Sequence, residues 1–208
     1  MKKFILSLFA IINVASVFAQ SKSDITNGSA EITWLGIDFS QLKFIGPATQ
    51  YQDAGEITSA ALRDKYFPAW NNLVVNEPEK FKVNDAVNRT DVSYAIAITE
   101  RSNNGLKGNF FSEDANDYSR LSEQNISSIV SNYKYQGKKG IGMMFVVEAM
   151  SKGKKEAAIW VTFMNMDTKK MILTHRVTAE AGGFGFRNFW AKTIMNTLKD
   201  TRKNLKRW

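Results

Sequence analysis

The sequence predicts an α+β domain, a largely antiparallel sheet covered by about three helices. Two observations carry this. Residues 141–150 (IGMMFVVEAM), 156–166 (EAAIWVTFMNM) and 170–179 (KMILTHRVTA) are three strand-like runs joined by SKGKK and MDTKK. Such short, polar, lysine-rich linkers are of the hairpin kind, so the C-terminal half reads as a three-strand meander. Three other stretches repeat their apolar residues at helical spacing, and an N-terminal run has strand composition. Strands at both ends, with helices between and after them, give a layered α+β architecture.

The elements follow in order. Residues 31–39, EITWLGIDF, are rich in β-branched and aromatic residues. Ile32 and Trp34 fall on one face and Leu35 and Ile37 on the other, which marks an interior strand. QLKFIG at 41–46 continues it or opens a short second strand, and Gly46-Pro47 stops it. Over 57–75, Leu62, Tyr66, Trp70 and Leu73 form one helical stripe. Pro68 lies inside that stripe and predicts a kink, or two helices meeting, near Phe67, because proline lacks the N–H and crowds the preceding turn. VSYAIAIT at 92–99 reads as a strand, and 103–116 as a polar, glycine-containing loop. The helix expected over 118–133 carries Leu121, Ile126, Ile129, Val130 and Tyr133 on one face, with Ser119 or Ser122 as its cap. The last helix spans 186–205, with Trp190, Ile194 and Leu198 in register.

Residues 1–19 have Lys2 and Lys3, an apolar run to Val17, and small residues, Val17 and Ala19, at the two positions a signal peptidase reads. This is the pattern of a secretory signal peptide cut after Ala19. The apolar run is short for a membrane span of about 20 residues. The expectation is a periplasmic or secreted protein with a flexible leader at 20–30, one domain at 31–208, and no transmembrane segment after cleavage. There is no cysteine, so neither a lipid anchor nor a disulfide is available, and stability must come from a packed core. The formal charge of +8, less the two signal lysines, leaves +6. That balance suits an anionic surface such as lipid headgroups. No nucleic-acid reader motif accompanies it.

Little of the sequence favours catalysis. His175 is the only histidine, and its mid-strand setting suits a satisfied surface residue better than a mobile acid–base group. A zinc site would have to be built from carboxylates, and no metal or other cofactor is expected. Asp38, at the exit of the first strand, is the best single candidate for a binding or hydrolytic carboxylate, since function gathers at such ends. Glu113, Asp114 and Asp117 lack the central glycine and distal Glu of a calcium loop. They read as a solvated loop that caps the following helix.

The stretch AGGFGFRNFWAK at 181–192 poses the sharpest question. A phosphate-binding loop needs Lys-Ser/Thr after its glycines, and the dinucleotide fingerprint needs G-x-G-x-x-G. Neither is present. The glycines Gly182, Gly183 and Gly185 instead read as a tight strand-to-helix turn that uses positive φ, with Phe184 and Phe186 plugging the core on either side. Arg187 and Asn188, in the first helical turn, together with Trp190, are the binding candidates there. The C-terminal cations Lys199, Arg202, Lys203, Lys206 and Arg207 complement the helix dipole. They would also make an electrostatic foot, with Trp208 as an interfacial anchor.

WLGIDFSQLKFIG near the start and GGFGFRNFWAKTI near the end resemble a family of exported Bacteroidetes proteins. The resemblance covers most of the mature chain, implies export and brings no activity. In architecture, the meander, glycine-rich exit and closing helix are similar to periplasmic envelope-assembly domains. Examples are the amino-terminal domain of the Tol–Pal translocation protein and the curli-secretion lipoprotein family. This chain departs from the lipoproteins in lacking a lipidation cysteine. Those families bind other envelope proteins; with the scarcity of catalytic groups and the basic charge, the expectation is a periplasmic, non-catalytic binding or envelope-assembly module whose partner is another envelope protein or an anionic membrane surface. The five tryptophans fit that reading if one or two of them lie at an interface. A small-molecule or lipid carrier, and a carboxylate hydrolase centred on Asp38, are the alternatives.

Overall fold

A computed structural model describes residues 20–47 and 57–208. The expected signal peptide lies outside the described residues. The chain runs α1 (Lys22–Thr26), β1 (Ile32–Asp38), β2 (Lys43–Ile45) and α2 (Ser59–Ala61). A π-helical turn (Leu62–Tyr66) then leads into α3 (Phe67–Asn76), α4 (Val83–Ala86), β3 (Ser93–Tyr94), α5 (Ala97–Asn104) and β4 (Phe111–Ser112). A 3-10 turn (Ala115–Ser119) precedes α6 (Glu123–Asn132), β5 (Ile141–Ser151), β6 (Glu156–Asn165), β7 (Lys170–Glu180) and α7 (Phe186–Asn204). No helix among the described residues is long and apolar enough to cross a membrane.

The sheet is not the largely antiparallel one expected from the sequence. β1 and β2 both run parallel to β5, β3 runs parallel to β1, and β4 runs parallel to β2. Only β5–β6 and β6–β7 are antiparallel. The parallel half has a signature in the sequence. Every residue of β5 is buried, and a continuous apolar run marks a strand covered on both faces, as parallel strands are.

Both faces are indeed covered. On one, Trp34, Phe145, Ile159, Val161 and Phe163 pack under α3 and α7. On the other, Leu35, Met144, Val146, Trp160 and Met164 pack under α5 and α6 through Ile98, Ile126 and Val130. The first face is strongly aromatic. Phe39 stacks on Phe67 at 4.2 Å, and Trp70, Phe186 and Trp190 close around them. Four of the five tryptophans (34, 70, 160 and 190) are buried. Their abundance therefore reflects core packing and not an interface.

Three local expectations are corrected. Residues 92–99 hold a two-residue strand and the start of α5, not one long strand. The expected loop at 103–116 contains the end of α5, β4 and part of the 3-10 turn. Residues 20–30, expected as a flexible leader, hold α1 with Ile25 fully buried. Arg89 donates to the carbonyls of Asp24, Ile25 and Ala30 at 2.9–3.1 Å and ties this segment down. Near Pro68, the Phe67 N–H reaches back to the Leu62 carbonyl. That π-type step gives the proline ring room, so the helix absorbs the proline without breaking.

Candidate functional site

The most unusual backbone in the fold is the passage from β1 to β2. Asp38 is level with Val146 of β5, and Lys43 is level with Ala149. Residues 39–42 therefore cover the span that residues 147–148 cover on β5. The surplus chain loops out, closed by a Leu42 N–H bond to the Phe39 carbonyl at 3.0 Å. β5 answers with an irregularity of its own, a register shift against β6 between Val147 and Ala149 that isolates Glu148. Two fully buried carboxylates, Asp38 and Glu148, thus lie on the α6 side of the sheet where both ladders are interrupted.

The outer edge of β1 has a strand neighbour only at Thr33 and Trp34. Beyond that, side chains take the place of a strand. Thr99 Oγ1 donates to the Leu35 carbonyl at 2.7 Å. Asn71 Oδ1 accepts the Ile37 N–H at 2.7 Å. Asn103 donates to the Ile37 carbonyl at 2.8 Å and accepts the Phe39 N–H at 2.9 Å. Thr99 and Asn103 stand one helical turn apart on α5, so one face of the helix serves the strand edge. This clamp satisfies buried backbone groups that would otherwise be left unpaired, and it fixes where Asp38 points.

Asp38 is enclosed. Oδ2 accepts the Tyr133 hydroxyl at 2.6 Å, and Oδ1 accepts the Ser40 N–H at 2.9 Å and the Ser40 hydroxyl at 2.5 Å. Burial foremost, with the Asp38 charge and hydrogen bond next, pushes the Tyr133 phenol well above its usual range, opposed in part by a hydrogen bond from Ser102. Tyr133 therefore stays a neutral donor. Above this floor lies a cleft of about 500 Å³ between α5 and the end of α6, walled by Ile98, Ile129 and Asn132 with Arg101 and Lys134 at its mouth. Both cations are exposed, and neither forms an ion pair with a described residue. The cleft also touches Gln136, which holds a left-handed φ of 54° beside Gly137 at 77° in the turn that follows.

Glu148 is held differently. It accepts the Leu121 N–H at 2.6 Å, the Trp160 indole N–H at 3.1 Å and the Arg176 Nε at 2.7 Å. Arg176 also donates to the Tyr118 carbonyl at 2.6 Å. Arg120 fills the gap beneath the looped-out chain by donating to the carbonyls of Gln41, Asp117 and Glu148. This network fastens the 3-10 turn and the start of α6 to the sheet. Its carboxylate is fully buried and engaged on both oxygens.

Asp38 is thus the one sequence candidate placed beside the cleft. Arg187, Asn188 and Trp190 are not brought to it. Trp190 is 1% exposed and belongs to the core. Arg187 and Asn188 are exposed at the start of α7, where the Arg187 carbonyl accepts the Trp70 indole at 2.9 Å. Gly183 and Gly185 do use positive φ, 106° and 77°, in the turn into α7. Phe186 enters the core as expected, but Phe184 does not and is 95% exposed. His175 is exposed on β7 and stacks on Trp208 at 4.5 Å, so Trp208 is folded back onto the domain and is no free anchor. Asp114 caps the 3-10 turn and Asp117 accepts the Ser112 hydroxyl. Among the described residues no cluster of three or more acidic or histidine groups could hold a metal.

Sequence reasoning missed Glu148, Arg101, Ser102 and Lys134. Glu148 had a signal, a lone acid in an otherwise apolar strand, which must be buried and partnered. The others had none, since their meeting depends on how α5 packs beside the end of α6, which spacing within either segment does not reveal. Comparison with known proteins yields no match to a family model, a curated protein or a solved structure.

The alkaline limb of stability follows from the tyrosines. Tyr118, Tyr133 and Tyr135 are all shifted upward from the ordinary phenol value of 10.0, burial being the first cause in each. Above that pH the unfolded phenols ionise while the folded ones cannot. The unfolded state then binds fewer protons and stability falls as pH rises. Urea midpoints measured from pH 8 to pH 11 should drop above about pH 10. Tyr133→Phe should lower stability by about 2 kcal/mol at neutral pH, by leaving Asp38 short of a donor, and should flatten the alkaline fall. A flat profile in the unsubstituted protein would contradict this account of the phenols.

Proposed function

We propose that the protein is an exported, non-catalytic binding module of the cell envelope, and that the cleft between α5 and α6 receives an acidic group of its ligand or partner. One observation carries this reading. Arg101 and Lys134 stand without ion-pair partners at the mouth of a cleft that has an apolar wall and a floor of hydroxyl groups. A carboxylate or phosphate entering there would meet two cations and the exposed edges of Ser102 and Ser128, with an Arg capable of bidentate contact. Apolar walls with a few placed polar groups are the usual make-up of a ligand seat.

The hydrolase alternative has less support. Both oxygens of Asp38 are occupied by Tyr133 and Ser40, and the residue is fully buried. A general base must be within reach of the proton it takes. The signal-like start of the chain supports placement in the envelope.

The test is to isolate the protein from its own envelope with mild detergent and weigh it by native mass spectrometry, alongside an Arg101→Glu/Lys134→Glu double variant. The expected result is an added mass, either a small acidic molecule or a protein chain, that the double variant loses. Because both side chains are exposed, the variant should keep its thermal midpoint. An added mass that survives charge reversal, or a bare monomer in both preparations, would overturn the assignment of the cleft.

A further inference from the structure

Phe184 is the outlier of the molecular surface. It is 95% exposed, whereas the next most exposed large apolar residues among those described, Tyr94 and Val75, reach only 39% and 36%. The loop that carries it is not slack. The Gly182 N–H bonds to the Phe189 carbonyl at 3.0 Å, and the Phe189 N–H bonds back to the Gly185 carbonyl at 2.9 Å. Gly183 and Gly185, on either side of Phe184, hold φ angles that side chains rarely adopt. The backbone is therefore built to hold a phenyl ring out into solvent, away from an aromatic core that Phe186, two residues on, enters.

Three cations lie on the segments that adjoin the loop. Arg187 is exposed in the first turn of α7, and the Lys192 Nζ lies 3.1 Å from where a Cβ on Gly182 would stand. The Ala181 N–H donates to the Lys155 carbonyl at 2.7 Å, which brings the lysine-rich turn between β5 and β6 to the same end of the molecule. Lys154 of that turn is folded over the Tyr118 ring at 3.9 Å, leaving Lys155 exposed beside the loop. Of the nearby acids, Glu156 is engaged by the Tyr118 hydroxyl and Glu77 by Lys80. Glu180 is the exposed exception.

We infer that the Phe184 loop is a docking element for an anionic lipid surface, with the ring entering the headgroup–acyl boundary and Arg187, Lys192 and Lys155 facing the headgroups. This site is distinct from the α5–α6 cleft and does not depend on it. A lipid surface fits better than a protein face for a reason of area. A stable protein interface buries about 800 Å² per partner around an apolar centre, and here the apolar contribution is one side chain. Shallow insertion of one ring supported by basic residues is the physics of peripheral membrane binding.

The test is sedimentation of the mature protein with phosphatidylcholine vesicles, prepared with and without phosphatidylglycerol, comparing the unsubstituted chain with Phe184→Ser. Everything else is shared between the two chains, so their difference reads the loop alone. The expected result is partition onto the phosphatidylglycerol vesicles, reduced about tenfold or more by the substitution, and released by raising the salt, which screens the headgroup attraction. The thermal midpoint should not move, since the side chain makes almost no contact. Equal partition of both chains, partition indifferent to phosphatidylglycerol, or none at all would overturn the proposal. So would a dimer, detected by light scattering, that Phe184→Ser dissolves, because it would assign the loop to a second copy of the chain.

Discussion

Gly36→Ala should remove roughly 4–6 kcal/mol of stability, a large share of a domain total of about 5–15 kcal/mol. Two causes add. Gly36 sits at φ 103°, where a residue with a Cβ is strained by about 1–3 kcal/mol. The new Cβ would also stand 2.3 Å from Thr99 Oγ1 and 2.6 Å from Asn71 Oδ1. Those two atoms cannot step aside freely. One donates to the Leu35 carbonyl and the other accepts the Ile37 N–H, and each buried group left unpaired costs about 1–3 kcal/mol.

Gly142→Ala is the natural control. Its Cβ would also be crowded, 2.7 Å from Leu35 Cδ1 and 2.8 Å from Met164 Sδ. Those are ends of flexible side chains, and the backbone there is ordinary strand, so overpacking should cost only about 1–3 kcal/mol. Urea unfolding of both variants, followed by far-ultraviolet circular dichroism, gives the comparison. If Gly36→Ala lies within 1 kcal/mol of Gly142→Ala, the side-chain clamp on β1 does not bear the weight assigned to it here.

That clamp also explains what the sequence could and could not reveal. The runs over 141–180 were legible because each is long and bounded by turn chemistry, and α7 was legible from its spacing. The pairing of β1 was not. Its apolar residues on both faces announce burial, but nothing in EITWLGIDF says which strand lies beside it or in which direction. Residues 92–99 were misread for a related reason. VSYAIAIT has strand composition, yet Thr99 and Asn103 must stand one helical turn apart to reach the β1 edge, and tertiary contact overrides propensity. Asp38 was picked out because it ends a strand. Its partner Tyr133, at the end of α6, looked like one more apolar position on a helix face. Arg187 and Trp190 were drawn by a glycine-rich motif whose conformational role is sufficient to explain it.

Arg176→Met should cost about 3–5 kcal/mol, the range for stripping one partner from a buried ion pair. Glu148 has no exposed side-chain surface, and the Arg176 side chain is only 25% exposed, so solvent cannot replace the lost cation. The Leu121 N–H and the Trp160 indole would remain on Glu148, but neither carries charge. Glu148→Gln/Arg176→Met should recover part of the loss, because an amide still accepts from Leu121 or Trp160 without leaving a bare charge buried. A double-mutant cycle in urea then isolates the pair, with an expected coupling of about 1–3 kcal/mol. The consequence should extend to the cleft. Arg176 holds the Tyr118 carbonyl, and the 3-10 turn it secures leads into α6, the wall opposite Arg101. Amide hydrogen exchange across residues 115–133 should accelerate in Arg176→Met more than across β6, because the turn loses an anchor while the sheet keeps its ladder. If exchange rises uniformly, or the coupling falls below about 0.5 kcal/mol, the network contributes nothing particular to the wall. The cleft would then owe its shape to the apolar packing of Ile126 and Val130 alone.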